Sequence, residues 1–338
     1  MKEIRVKCFT QGSTIASTRF RLSQLTDHLA KRGINLIFSH AYESAYPPYG
    51  IFKRILWFIL EVATRFFSVF FGRKEAINIF QREMISTFHT FEGAVQGKTI
   101  LDVDDAVWLH KKGRAIDKIA KNADHIVCGN LYIADYFRKF NLPITVIPTV
   151  VDTSRFVGCE QKQSVIGWTG GSGAFSCLYD IEEQLAGVLS RHSTWRLRIV
   201  ADMKPSFKII PDSKVEYIKW NPDIEVESIN TMSIGLMPLT NDNWSLGKCS
   251  YKMLLYMACK LPVIASNIGM NKEILEQSRV GIGIKSKMEW EAAIEHLIVD
   301  RNLREDMGIK GRMLVSEKYC LNVAAKKWTN VINIVDSL

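Results

Sequence analysis

The residues best suited to chemistry lie in three short stretches. The first spans residues 233–271, where the apolar run 234–239 leads through a polar loop containing Gly247 into a helix expected from about Lys248 to Cys259, then into the apolar run 263–265. Leu254, Met257, Ala258 and Leu261 recur at helical spacing and can lie on a sheet. Lys248 and Lys252 fall on the expected first turns, where open amides and the helix dipole already favour an anion, so a diphosphate fits there. The second stretch is Asp102, Asp104 and Asp105, which close an expected strand at 99–103. Three carboxylates this close repel one another, so they need a cation, a proton-accepting role at a hydroxyl, or use of one as a helix cap. The third is Gly170-Gly171-Ser172-Gly173 after the expected strand 165–168, where glycines let a phosphate or sugar approach the backbone. It is not G-x-G-x-x-G, and the nearest strand-end acid, Asp202, lies about 30 residues on instead of about 20, which disfavours a nicotinamide cofactor.

Positioning these groups requires a regular frame, and the chain supplies one. Strand-like runs at 4–9, 34–38, 77–80, 99–103, 125–128 and 144–147 alternate with helix-like segments, and the rhythm repeats at 165–168, 197–200, 215–218, 234–237, 263–265 and 281–284. This predicts an α/β protein of two Rossmann-like, doubly wound parallel sheets facing a cleft, with ligands at the carboxyl ends of the strands. Pro and polar residues at 147–156 read as a hinge between domains 1–150 and 151–320, and 321–338 as a terminal helix with Val323, Trp328, Val331, Ile334 and Val335 on its apolar side. Around the cleft the first domain offers Gly12 and Ser13 in the loop after its first strand, Arg19 and Arg21 near the start of the following helix, Arg82 after the third strand, and Gly129 and Asn130 after the fifth. Positive charge at a helix start opposes the dipole, which suggests a phosphate or acidic group for Arg19 and Arg21, with surface ion pairs as the alternative. Trp220, after the third strand of the second domain, could stack on a nucleobase or serve as packing.

The string GKCSYKMLLYMACKLPVIASNIGMNKEIL at 247–275 resembles the donor-binding segment of GT-B glycosyltransferases of the family 4 group. Lys248, Ser250, Lys252, Tyr256-Met257-Ala258, Pro262-Val263, Ala265-Ser266, Gly269 and Glu273-Ile274 carry the likeness, and the Asp102–Trp108 run and the hinge add to it. Many members hold the donor sugar and the ribose with two glutamates eight positions apart; the aligned residues here are Gly247 and Leu255. The resemblance implies transfer of a sugar from a nucleotide-diphosphate donor to a lipid-linked or polysaccharide acceptor. Donor contacts would fall on Gly170, Gly171, Ser172, Trp220, Lys248, Ser250, Tyr251, Lys252 and Asn271, and acceptor contacts on Gly12, Ser13, Arg19, Arg21, Arg82 and Asn130. Lys248, Asp104 and Asp105 are the expected catalytic residues. No cofactor or metal is expected, the nucleotide-sugar being a co-substrate, although D-V-D could hold a metal as in the GT-A class. Retention would use the leaving phosphate as proton acceptor, whereas inversion would need Asp104 or Asp105 as base. A non-catalytic glycan- or partner-binding relative and a sugar-nucleotide epimerase on the same fold are the alternatives.

Charge narrows the partners. Of the net +9, a surplus of 8 belongs to residues 1–74, with 12 Lys/Arg against 4 Asp/Glu. No nucleic-acid motif accompanies it, so an anionic membrane or acidic glycan is the better partner. Segment 51–72 places Arg54, Glu61, Arg65, Ser68 and Gly72 on one narrow stripe and aromatic residues over much of the rest. Its longest uncharged run, 66–72, is far short of the roughly 20 residues needed to span a bilayer. It reads either as an interfacial helix on anionic lipid or as a buried packing helix. Seven scattered cysteines without a C-x-x-C pair, and a first strand with no leader-like stretch before it, suggest a reducing cytoplasmic setting, peripheral on the membrane's inner face if the helix binds lipid.

Overall fold

In a computed structural model, which describes residues 3–44 and 46–338, all twelve expected strands form within two residues of their expected bounds. The first sheet holds β1 (Ile4–Thr10), β2 (Ile34–His40), β3 (Ile77–Gln81), β4 (Lys98–Val103), β5 (His125–Cys128) and β6 (Ile144–Val146) in the order β2-β1-β3-β4-β5-β6. The second holds β7 (Val165–Thr169), β8 (Arg196–Ala201), β9 (Val215–Lys219), β10 (Ile234–Met237), β11 (Val263–Ser266) and β12 (Gly281–Ile284) in the order β12-β11-β10-β7-β8-β9. Every strand pair is parallel. The order reverses at β1/β3 in the first sheet and at β7/β10 in the second, and ligands of such sheets bind outside the carboxyl ends at these points.

The chain divides into one unit of Met1–Val150, Leu246–Cys249 and Leu321–Leu338, and another of Val151–Ser245 and Ser250–Cys320, so the boundary falls inside the expected hinge. Core packing in the first unit sets Val6, Ile79, Ile100 and Val127 against Leu22, Leu29 and, from the terminal helix Leu321–Asp336, Trp328, Val331 and Val335. Ile334 of that helix is half exposed, and Ile332 takes the buried position instead. In the second unit Ile166, Trp168, Ile199 and Leu236 pack under Leu178, Leu185, Val188, Trp290 and Ile294. No helix of the described residues is long and apolar enough to cross a membrane.

Three helix expectations change. Ser250 adopts a left-handed φ of 51°, which delays the expected Lys248–Cys259 helix to Tyr251–Ala258 and leaves Lys248 outside it. The helix carrying Arg19 and Arg21 is only Ala16–Arg21, because Leu22 leaves helical dihedrals, so both arginines stand in the last turn, where the dipole favours them. The aromatic helix Ile51–Phe70 buries the middle of its polar stripe: Glu61 and Arg65 are fully enclosed beside buried Trp57 and Val69, while Arg54, Phe52, Leu56, Ile59 and Phe67 face outward.

Candidate active site

In the first unit the carboxylates at the end of β4 are neutralised by cations that the chain brings from far along the sequence. Arg21 forks onto Asp102, with Nε donating at 2.9 Å to Oδ2 and 3.0 Å to Oδ1, and Nη1 donating at 2.9 Å to the Ile147 carbonyl. Arg82 follows β3 with a left-handed φ of 60°, a conformation that bulky residues hold only where the surroundings fix it. Its Nε donates to Asp104 at 2.6 Å, one Nη to Asp105 at 2.6 Å, and its other contacts are the Tyr46 hydroxyl at 3.0 Å and Ser17 Oγ at 3.1 Å. Lys248 Nζ donates to Asp105 Oδ1 at 2.9 Å. Burial pushes the Asp104 carboxyl up, but Arg82 and Arg21 outweigh burial and hold it below the ordinary carboxylate value. Asp105 is the more accessible of the pair, its side chain 18% exposed.

Segment Leu246–Cys249 is clamped to this cluster. Asn130 caps the helix Leu131–Phe137 by accepting from the Ile133 amide at 2.8 Å, and its Nδ2 donates to the carbonyls of Leu246 at 3.2 Å and Lys248 at 3.1 Å. Cys249 Sγ donates to the Asp104 carbonyl at 3.1 Å. Gly129 leaves room for that sulfur, since a Cβ there would stand 2.3 Å from it and force it to shift. Gly247 has no room for a glutamate either, as a Cβ would meet Ala106 Cβ at 2.6 Å. Leu255, the other aligned glutamate position, is 2% exposed in the second unit's interior.

In the second unit, Lys252 on the first turn of the Tyr251–Ala258 helix lays its ammonium 4.0 Å from the ring centre of Trp168, near the end of β7. A Cβ on Gly170 would come within 2.4 Å of that ammonium, so glycine there lets the lysine lie against the loop. Asp202 fixes the same loop, accepting from the Ser172 amide at 2.6 Å and its hydroxyl at 2.8 Å. The Tyr256 hydroxyl accepts from the Thr169 amide at 2.8 Å beneath it. Ser250 Oγ donates to Asn271 at 2.7 Å and Asn271 to the Ser266 carbonyl at 3.2 Å; both side chains are buried and tie the helix start to the end of β11. A helix start leaves its first amides without intrahelical acceptors. The result is a cation, a helix N-terminus and a glycine loop together at the β7/β10 switch point.

The other expected residues have different surroundings. Tyr251 is half-buried beside Lys252, and Gly171 is exposed with open space at its Cβ position. Trp220 is half-buried, its indole N–H bonded to Glu225 at 3.0 Å, so one edge of the ring is committed to packing. Gly12 has φ 135° and its Cβ position lies 2.9 Å from the Glu43 carbonyl; Ser13 is exposed, and Arg19 sits over the Phe20 ring at 4.9 Å. Trp168, Tyr46 and Ser17 were not singled out from the sequence. An aromatic residue two positions before Gly170 was a usable signal for Trp168, whereas Tyr46 and Ser17 join Arg82 only through long-range folding. Among the described residues no group of three or more His, Cys, Asp or Glu side chains is arranged to hold a metal ion.

Residues 175–300 match the family described as "Glycosyl transferases group 1". No curated protein sequence matches the chain. Among solved structures, sucrose-phosphate synthase from Thermosynechococcus elongatus superposes with a TM-score of 0.69 at 12% identity, covering 99% of each chain. WaaG, a glycosyltransferase involved in lipopolysaccharide biosynthesis, gives 0.69 at 12% over 97% of this chain and 99% of its own. Anabaena HepE in complex with UDP-glucose gives 0.69 at 11% over 99% and 100%. The two sheets thus share the GT-B fold of these glycosyltransferases, and residues 175–300, within the second unit, match the group 1 glycosyltransferase family.

Proposed function

We propose that this enzyme moves a sugar from a nucleotide-diphosphate donor to a lipid-linked or polysaccharide acceptor at the cytoplasmic face of a cell membrane, with retention and without a metal. The observation that carries the reading is Lys252, held between Trp168 and Gly170 on the first turn of the Tyr251–Ala258 helix, within the residues matched to the family. As the glycosidic bond to the donor breaks, negative charge grows on the departing diphosphate. Preset cationic and amide donors aimed at it stabilise that state, and losing one such donor costs about 10²–10³ in rate. Asp104 and Asp105 are engaged with Arg82 and Lys248, and Asp104 is held ionised, which makes it a weak base. That arrangement favours the leaving phosphate as acceptor of the hydroxyl proton, the retaining route, and it leaves these carboxylates no call for a metal to neutralise them. Their role is then to position the acceptor side of the first unit.

Thermal unfolding with UDP, GDP, ADP, dTDP, CMP and their sugars, with and without EDTA, tests this; UDP-glucose comes first because HepE is described with it. One nucleotide class should raise Tm by several degrees, since a ligand at 100 times its Kd adds about 2.7 kcal/mol. Lys252→Ala should abolish the shift and EDTA leave it unchanged, with nucleoside diphosphate released only when acceptor is present. If nothing shifts and nothing is released, the transferase reading fails in favour of a glycan- or partner-binding protein, which Gly247 and Leu255 would suit. Donor turnover without acceptor would indicate an epimerase, and an EDTA-sensitive shift would remove metal independence.

A further inference from the structure

The aromatic helix Ile51–Phe70 is built inside out. Two charges of its polar stripe are buried: Arg65 Nε donates to Glu61 at 2.6 Å, and the Arg65 guanidinium also reaches the carbonyls of Thr10 at 2.7 Å, Met84 at 2.9 Å and Ser39 at 3.0 Å. Glu61 in turn accepts from the Tyr42 amide at 2.7 Å. Lys7 secures the far end by donating to the Ser68 carbonyl at 2.7 Å and that of Arg73 at 3.1 Å. With its polar side spent on the sheet edge, the helix turns Phe52 (85% exposed), Leu56 (60%), Ile59 (58%), Phe67 (61%) and, just past its end, Phe71 (74%) outward. These positions recur three, four or eight apart, so they form one continuous face about 30 Å long. An exposed apolar face of this extent marks an interaction surface.

Charge identifies what covers it. From residue 51 to 74 the exposed charges are the cations Lys53, Arg54, Arg73 and Lys74, with Glu61 and Arg65 cancelling inside and Arg73 paired at 3.0 Å with the mostly buried Glu75. Phe70, Arg73 and Lys74 line one cavity, which puts two of those cations at the edge of the aromatic face. At the other end Phe58 packs on Phe88, whose ring carries the ammonium of Lys111 at 3.7 Å. A second copy of the chain would set these cations against their own kind. An anionic bilayer accepts both features, aromatic rings at the acyl boundary and lysines at the headgroups.

We infer that the helix Ile51–Phe70 lies in the plane of an anionic membrane, apolar side down, and holds the first unit on the lipid surface. The lipid-linked acceptor reading above gives this its purpose, but the binding can be measured without any substrate. Full-length protein is sedimented with vesicles of phosphatidylcholine and with vesicles that also contain phosphatidylglycerol. Binding should favour the anionic vesicles and weaken with salt. Phe52→Glu/Phe67→Glu should lower partitioning at least about tenfold. Lys53→Glu/Lys74→Glu should lower it by a similar factor on anionic vesicles only, each cation at such a surface being worth about fivefold. Should the phenylalanine variant fold poorly, the lysine variant alone decides. Absence of wild-type binding, or binding that neither variant changes, overturns the inference. So does a dimer in sedimentation velocity that the phenylalanine variant dissociates, which would assign the face to a second copy. A nucleotide-induced shift in Tm on the same samples separates the outcomes: vesicle binding lost with the shift retained removes this surface but not the transferase.

Discussion

Two helices of the first unit bury opposite sides. The terminal helix Leu321–Asp336 packs Trp328, Val331 and Val335 into the core and shows Lys326, Asn330 and Asn333 to solvent. The helix Ile51–Phe70 does the reverse, enclosing Glu61 and Arg65 and showing Phe52, Phe67 and Phe70. Periodicity locates the faces of both but does not say which one goes in. What decides is the surface each helix meets. The terminal helix lies on strand side chains such as Ile79 and Ile100, where only apolar contact is on offer. The aromatic helix meets carbonyls of Thr10 and Ser39 near the ends of β1 and β2, and buried carbonyls must find donors. A guanidinium supplies them, and a carboxylate four residues away balances its charge.

The comparison breaks most visibly where each helix is attached. Trp328→Ala should cost about 3–5 kcal/mol, because it removes a fully buried ring and leaves a cavity. Arg65→Met should cost nearly as much, about 3–5 kcal/mol, since it strands a buried Glu61 and three carbonyls while adding only apolar volume. Urea unfolding followed by circular dichroism reads both. Combining Arg65→Met with Glu61→Gln should recover part of the loss; a double variant as unstable as the two single losses summed would mean that the pair is not coupled.

The sequence carried the sheets nearly complete, since alternating apolar runs bounded by turn residues are local signals that parallel strands cannot do without. Helix ends were less legible. The left-handed Ser250 moves the helix start past Lys248; its hydroxyl is held by Asn271, 21 residues along the chain, and no local pattern announces it. The strain of Asp102, Asp104 and Asp105 was visible as a question of charge, while the answer lay in Arg21, Arg82 and Lys248, which only the fold brings near. Gly247 and Leu255 stood out as departures from the family pattern, and the structure adds the reason: one is closed by Ala106 and the other lies in an apolar interior.

A smaller effect is expected at Glu83, a buried carboxylate beside an Arg82 already engaged with Asp104 and Asp105. Burial pushes its carboxyl up from 4.5 to about 6, with its own amide and Arg82 offsetting only part. The folded state therefore binds this proton more tightly than the unfolded one. Its contribution is fully present below pH 4.5 and is lost as pH rises through about 6. Glu83→Gln should flatten stability across that window and raise it at neutral pH by about 1–2 kcal/mol. Glu61 faces the Arg65 guanidinium directly, so Glu61→Gln should destabilise instead, and the opposite signs separate a paired buried carboxylate from one whose neighbour is taken.

The smallest expected effect on stability tests the helix pair most sharply. Phe52→Ser and Phe67→Ser remove aromatic side chains of the same class as Trp328, yet 85% and 61% of those residues already face solvent, so each should change the unfolding free energy read by urea by no more than about 0.5 kcal/mol. An aromatic residue that contributes little to the isolated fold but governs partition to vesicles is being held for a second surface, since among the described aromatic rings Phe67 touches only its neighbours Phe66 and Phe71 and stays mostly exposed. If either substitution instead cost more than about 1.5 kcal/mol, the outward face would be covered by protein in solution. The two helices would then differ only in what they pack against, not in whether one of them awaits a partner.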